Sequence, residues 1–201
     1  MKKTMIGVLA FEGLVMVLWL GFLSCSQQFN RENFRPTEDL YTPSTAGEIH
    51  LLKVDHAAVG DLLLESFSNK RNQFQKYVAA DREGLIQFGL GNKMQSTLWI
   101  PKNALPADAM VEVNIEPDFY VDHDMLTYRF SPHRTTFQKP VTFIASYALA
   151  DLDGVDEDKL GVYYFNEETR LWEFVGGLVD KVNKTITVEL YHFSLYAIAH
   201  S

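Results

Sequence analysis

Short segments with alternating apolar and polar residues recur along the chain from Gln73 onward, and they constrain its fold most strongly. Segments 110–115 (MVEVNI) and 126–130 (LTYRF) alternate residue by residue, which is typical of strands with one face in a core. Turn-forming residues separate such segments about every 10–12 residues. We therefore expect an all-β chain, an antiparallel β-sandwich with a barrel as the alternative. The other predicted strands are 85–90, 96–100, 141–147, 160–165, 171–175, 184–190 and 194–199.

The N-terminus has the layout of an export signal. Two lysines precede an apolar run, 13–23 (GLVMVLWLGFL), which is followed by the small residue Ser24 and by Cys25. This arrangement is typical of a secretory signal peptide. With Cys25 as the first mature residue, it resembles a bacterial lipoprotein signal, although Phe22 stands where that signal usually has leucine. The resemblance implies that residues 1–24 are removed and that Cys25 carries lipid.

An uncleaved membrane helix over residues 5–23 is the alternative, because its length suits a bilayer core. Glu12 interrupts that stretch, and a carboxylate inside a membrane span costs about 2.5–3.5 kcal/mol. Both alternatives predict a membrane-anchored protein of the bacterial cell envelope. Since Ser26 rather than aspartate follows Cys25, the resemblance implies the outer membrane.

The polar, proline-containing segment 25–48 is expected to be a flexible tether, followed by a single domain over residues 49–201. For residues 49–67 the pattern fits either a helix face or short strands. The chain has a formal net charge of −8 and no basic run, so nucleic acid is not an expected partner. Cys25 is the only cysteine, which excludes an internal disulfide and a thiolate metal site. We expect no cofactor, and stability must come from packing of the many aromatic residues.

Two segments, 97–105 (TLWIPKNAL) and 129–140 (RFSPHRTTFQKP), resemble the ZU-five domain of zonula occludens proteins, netrin receptors, ankyrins and bacterial surface proteins. The resemblance covers about 84–147, and residues 160–199 resemble the closing strands of bacterial surface domains of this kind. Asn103 replaces the family's usual glycine, and asparagine also tolerates a left-handed backbone. The matching motif residues are Ile100-Pro101, Ala104-Leu105, Pro132, Thr136-Phe137 and Pro140-Val141.

The same residues have a structural interpretation that is independent of the family. Pro101 cannot donate to a strand ladder and is expected to end a strand. Phe137 and Val141 flank a proline-marked corner and are expected in the core. Trp99 and Trp172 lie between apolar neighbours, so we expect core packing for both rather than a carbohydrate groove.

The motif His192-Phe193-Ser194 carries possible chemistry. In some animal proteins with this domain, the chain cuts itself between the phenylalanine and the serine of such a motif. The Ser194 hydroxyl would attack the Phe193 carbonyl while His192 moves the proton. The alternative, which we favour, is that the motif opens the last strand, with His192 and Ser194 on one face and Phe193 in the core.

Metal sites are not expected. The acidic segment around Gly154 has the wrong spacing for a helix-loop-helix calcium loop, and we interpret it as a solvated loop. The histidines are scattered and are interpreted as lone surface residues. The acidic residues are Asp151, Asp153, Asp156, Glu157 and Asp158, and the histidines are His50, His56, His123, His133, His192 and His200.

These observations favour a lipid-anchored envelope protein whose non-enzymatic β-sandwich binds a macromolecular partner or has a structural role. The expected partners are the membrane, through lipid on Cys25, and a protein or an envelope polymer. The competing hypothesis is a hydrolase that acts on envelope polysaccharide, which needs two carboxylates about 5–10 Å apart in a cleft. Self-cleavage between Phe193 and Ser194 is a further alternative.

Overall fold

The structure is a computed structural model that describes residues 49–55, 57, 73–118 and 125–201. The predicted signal peptide 1–24, the proposed lipidation site Cys25 and the predicted tether lie outside these residues, as do His56 and His123 and most of the ambiguous segment 49–67. Within the described part, no helix is long and apolar enough to span a membrane.

The described chain is built from β-strands, as the alternating pattern predicts. Its first six strands are β1 (His50–Leu51), β2 (Gln73–Val78), β3 (Gly84–Leu90), β4 (Met94–Ile100), β5 (Ala109–Asp118) and β6 (Met125–Ser131). The next six are β7 (Thr136–Ser146), β8 (Leu160–Asn166), β9 (Leu171–Gly176), β10 (Leu178–Asp180), β11 (Thr185–His192) and β12 (Leu195–His200). A 3-10 turn, Glu157–Lys159, precedes β8.

The strands form two antiparallel sheets that enclose one apolar core, and this confirms the predicted β-sandwich. Sheet one has the order β2-β5-β6-β12-β8-β9, and sheet two has the order β10-β11-β7-β4-β3. The first half of β12 pairs with β6, whereas its end pairs with β1, at Ala199 and His200. Strand β1 therefore pairs with the end of β12 that extends beyond β6.

The two segments distinguished in the sequence, 84–147 and 160–199, each contribute neighbouring strands to both sheets. In sheet one β12 lies between β6 and β8, and in sheet two β11 lies between β10 and β7. Each sheet therefore contains strands from both segments, and neither segment forms a complete sheet alone.

Strand β7 starts earlier than the sequence indicates. We expected it over 141–147, but it begins at Thr136 and runs through Pro140. The register between β7 and β11 shifts between Leu190 and His192, opposite this stretch, and the pairing of β4 with β7 involves only residues from Thr142 onward. A proline, which has no N–H to donate, is tolerated at such an irregularity.

Aromatic rings fill the space between the sheets. Phe143 of β7 meets Tyr128 and Phe130 of β6 edge-on, with ring centroids 5.2 Å and 5.1 Å apart. Phe88 of β3 lies 6.1 Å from Phe130. Such edge-to-face pairs are worth about 0.5–1.5 kcal/mol beyond their buried area, so they hold the two sheets together without any disulfide.

A buried tyrosine hydroxyl also connects the sheets. Tyr128 of sheet one donates to the Ser146 carbonyl at 2.9 Å, and the Ser146 N–H donates to Ser96 Oγ at 3.0 Å. Tyr128 and Ser96 are both 0% exposed. Burial raises the pKa of Tyr128 well above its usual range, so this hydroxyl stays protonated and its hydrogen bond persists.

The motif residues of the ZU-five resemblance have the structural roles expected of them. Strand β4 ends at Ile100, directly before Pro101. Asn103 has a φ of 61°, the left-handed conformation that asparagine tolerates. Phe137 and Val141 are buried, at 8% and 0% exposure.

Candidate functional site

The motif His192-Phe193-Ser194 forms the crossover between the sheets. His192 is the last residue of β11 in sheet two, and β12 of sheet one begins at Leu195. The expectation that the motif simply opens the last strand is therefore wrong. His192 ends a strand of sheet two, whereas Ser194 lies directly before a strand of sheet one.

Phe193 is anchored at this crossover by its ring. The side chain is 0% exposed, which confirms its expected place in the core. Its ring lies 4.7 Å from Phe137 and 5.9 Å from Phe130, centroid to centroid. The ring therefore contacts the core from the point where the chain changes sheets.

Backbone hydrogen bonds hold the crossover on both sides. The Phe193 N–H donates to the Thr135 carbonyl at 2.9 Å, and the Phe193 carbonyl accepts from the Arg134 N–H at 3.1 Å. The Ser194 carbonyl accepts from the Phe130 N–H at 3.0 Å. The Phe193–Ser194 bond and the peptide groups on either side of it are thus paired with β6 and with the turn that joins β6 to β7.

The His192 ring faces tyrosines. It stacks on Tyr196 and meets Tyr164 edge-on, with centroids 6.1 Å and 5.1 Å away. Its Nδ1 lies 3.3 Å from Tyr196 Oη, which itself donates to the His192 carbonyl at 2.7 Å. Partial burial lowers the pKa of His192, a hydrogen bond with the Phe193 backbone opposes this shift, and nearby His133 adds to it. The ring is therefore neutral at neutral pH.

Two carboxylates lie next to this crossover, and the sequence motif did not reveal either. Glu173 of β9 accepts from Tyr164 and Asn166 of β8, and these hydrogen bonds lower the pKa of Glu173. They are cross-strand contacts between neighbouring strands, so register information is needed to find them.

Glu167 follows β8 and binds the β6–β7 turn. It accepts from Arg134 at 2.9 Å and lies 3.2 Å from His133. Partial burial alone would raise the pKa of Glu167, but Arg134 and then His133 outweigh it, so the pKa lies below its usual range. This ion pair holds the turn whose backbone binds Phe193.

For self-cleavage, this geometry supplies one useful element. The Arg134 N–H already points at the Phe193 carbonyl, as a donor that stabilises an oxyanion would. The His192 ring, in contrast, is engaged by Tyr196 and by the Phe193 backbone. To accept the proton of the Ser194 hydroxyl, the His192 ring would have to leave these contacts. The arrangement is therefore better suited to fixing the crossover than to cutting it.

The acidic segment before β8 is bound by ion pairs to the turn that precedes β11, with Lys181 on Asp158 at 2.6 Å and Lys184 on Glu157. Lys184 donates to both Glu157 oxygens at 2.9 Å and 2.8 Å, and Tyr147 donates to the same carboxylate at 2.7 Å. Hydrogen bonds from Lys184 and then Tyr147 lower the pKa of Glu157. Glu157 therefore has a structural role rather than the purely solvated one that we expected. Among the described residues, no group of three or more His, Cys, Asp or Glu could hold a metal ion.

Two histidines that are far apart in the sequence meet in the structure. The rings of His50 and His200 stack at 5.1 Å across the β1–β12 pair. The expectation of lone histidines is therefore wrong for His50 and His200. The sequence does not reveal this pair, because β1 and β12 lie at opposite ends of the domain sequence. Partial burial and then His50 lower the pKa of His200.

Trp99 lies on the outside of the sandwich, so the expectation of core packing is wrong for this residue. It is 40% exposed, because Leu98 and Ile100 on either side occupy the inward positions of β4. Directly opposite Trp99 on β3 is Leu85, which is 46% exposed. Trp172 is half-buried and packs against Phe165 at 5.4 Å.

Part of the chain is similar to a known protein. No family model matches the chain. A 62-residue stretch, 31% of this chain, is 44% identical to an amylopullulanase from Thermoanaerobacterium thermosulfurigenes. The match covers 3% of the length of that protein.

Proposed function

We propose that the chain is a lipid-anchored bacterial envelope protein whose β-sandwich binds a macromolecular partner without catalysing a reaction on it. One observation carries the proposal: Leu85 and Trp99 form an exposed apolar pair on the outer face of sheet two. Exposed apolar groups with a polar surround are typical of binding surfaces. The ZU-five resemblance, which is part of the proposal, supports a binding or structural module rather than a catalyst, although a fold supports many functions.

Anchoring is the second part of the proposal. The apolar run 13–23 followed by Ser24 and Cys25 supports lipid attachment at Cys25 and, because Ser26 follows, the outer membrane. Labelling with a radioactive fatty acid tests this part. Wild-type chain should incorporate label and Cys25→Ala should not, whereas equal incorporation in both, or none in either, contradicts it.

Partner binding is tested by capture from envelope extracts with the full-length chain in detergent. We expect saturable capture that falls strongly with Trp99→Ala. Phe174→Ala is the matched control, since Phe174 is also an exposed aromatic residue but belongs to β9 of the other sheet. Equal capture by both variants would remove the observation on which the proposal rests.

A hydrolase that acts on envelope polysaccharide is the second candidate, and the short likeness to an amylopullulanase favours it. Such an enzyme needs a carboxylic acid with a raised pKa close to a second carboxylate. The pKa values of Glu157, Glu167 and Glu173 are all shifted downward by their partners. These three carboxylates are therefore better suited to structural contacts than to general-acid catalysis.

A further inference from the structure

The outer face of sheet two combines aromatic, aliphatic, amide and hydroxyl side chains. Strand alternation turns every second residue of β3, β4 and β7 outward, so these side chains form rows across the strands. One row contains Leu85, Trp99, Thr142 and Glu189, and the next contains Gln87, Thr97, Ile144, Thr187 and Leu178. Members of a row lie directly opposite each other on adjacent strands.

The face offers two aromatic positions. Trp99 on β4 is 40% exposed, and Tyr191 on β11 is 59% exposed. Tyr191 Oη lies 3.4 Å from Glu189, which pairs with Thr142 and so belongs to the same face. Strand β7 separates the two aromatic residues, which places their strands about 10 Å apart.

Three uncharged polar side chains lie near Trp99 on this face. Gln87, Thr97 and Thr142 each provide both a donor and an acceptor. Glu189 is the charged member of the row that contains Trp99, in a chain with a net charge of −8. The face therefore presents hydrogen-bonding capacity with little charge of its own.

We propose that this face binds a neutral polysaccharide, with Trp99 as the main stacking surface. A sugar ring has C–H groups on its faces and hydroxyls at its edges. The C–H groups fit the electron-rich face of an indole, and the hydroxyls match amide and threonine side chains. An anionic polymer would meet the negative field of the protein.

This inference rests on the proposed partner-binding function and names its partner class. Affinity electrophoresis of the full-length chain in detergent tests it, with soluble starch, laminarin and mannan as neutral probes and polygalacturonate as the anionic one. We expect retardation by at least one neutral polymer, at least tenfold weaker with Trp99→Ala and less weakened with Trp99→Phe. Phe174→Ala should bind as the wild type does. An unchanged circular dichroism spectrum should show that each variant is folded.

Retardation by none of the neutral polymers would overturn the inference, and so would equal retardation of wild type and Trp99→Ala. Stronger binding to polygalacturonate would overturn the neutral class. If the envelope extract instead yields a trypsin-sensitive partner that depends on Trp99, the proposed binding function stands and the polysaccharide inference fails. If neither extract nor polymer binds through this face, both fail.

Discussion

The Phe193 ring meets the Phe137 ring edge-on, with 4.7 Å between centroids, where the chain leaves sheet two for sheet one. Phe193→Ala removes this contact and leaves a cavity in the core. We expect a loss of about 3–5 kcal/mol in the free energy of unfolding, measured by urea denaturation. Phe174→Ala, at a side chain that is 65% exposed, should cost much less. Equal losses for the two variants would show that the crossover does not depend on the Phe193 ring.

The bond between Phe193 and Ser194 is expected to stay intact. Its carbonyl accepts from the Arg134 N–H, its flanking peptide groups are paired with Thr135 and Phe130, and the His192 ring is engaged by Tyr196. Denaturing mass spectrometry should show no fragment ending at Phe193, and Ser194→Ala should change the mass only by the lost oxygen. A wild-type fragment ending at Phe193 that is absent from Ser194→Ala would establish self-cleavage.

The ion pair between Glu157 and Lys184 should contribute to stability in a pH-dependent way. Because the folded state lowers the pKa of Glu157, the contribution is present above the unfolded pKa of about 4.5 and is lost as the pH falls through the folded value. Glu157→Gln should cost about 0.5–1.5 kcal/mol at pH 7. The difference from wild type should shrink below pH ~4. Glu83→Gln, at an exposed turn, is the control, and a difference that does not change with pH would contradict the ion pair.

Two histidines should make the domain less stable in mild acid. Burial lowers the pKa values of His192 and His200, so the unfolded chain binds protons first as the pH falls. Stability should therefore be full above about pH 6.5 and should decline as the pH drops toward the folded pKa values. Urea midpoints between pH 8 and pH 5 measure the slope. The double variant His192→Asn/His200→Asn should flatten it, and an unchanged slope would assign the effect to other groups.

Alternation predicts most of this fold but not all of its details. Segments such as 110–115 and 126–130 fall inside β5 and β6, because a strand with one buried face must alternate. In β4 the same rule would have placed Trp99 outside. Ser96, a polar residue at an inward position, hides the pattern, and it is tolerated there because it accepts from the Ser146 N–H.

Non-local contacts could not be predicted from the sequence. His50 and His200 meet only because β1 pairs with the end of β12. Glu167 and Arg134 meet only because the turn after β8 lies beside the β6–β7 turn. The local motif His192-Phe193-Ser194 was found from sequence, but its position between two sheets depends on strand order, which the residue pattern does not specify.

Binding without cleavage is the central claim, and one assay tests it directly. The full-length chain in detergent is incubated with isolated envelope polysaccharide, and both the retained protein and the new reducing ends are measured over time. We predict retention that falls strongly with Trp99→Ala, and reducing ends no higher than in the protein-free blank. Reducing ends that rise in proportion to the added protein, and that heat denaturation abolishes, would contradict the account.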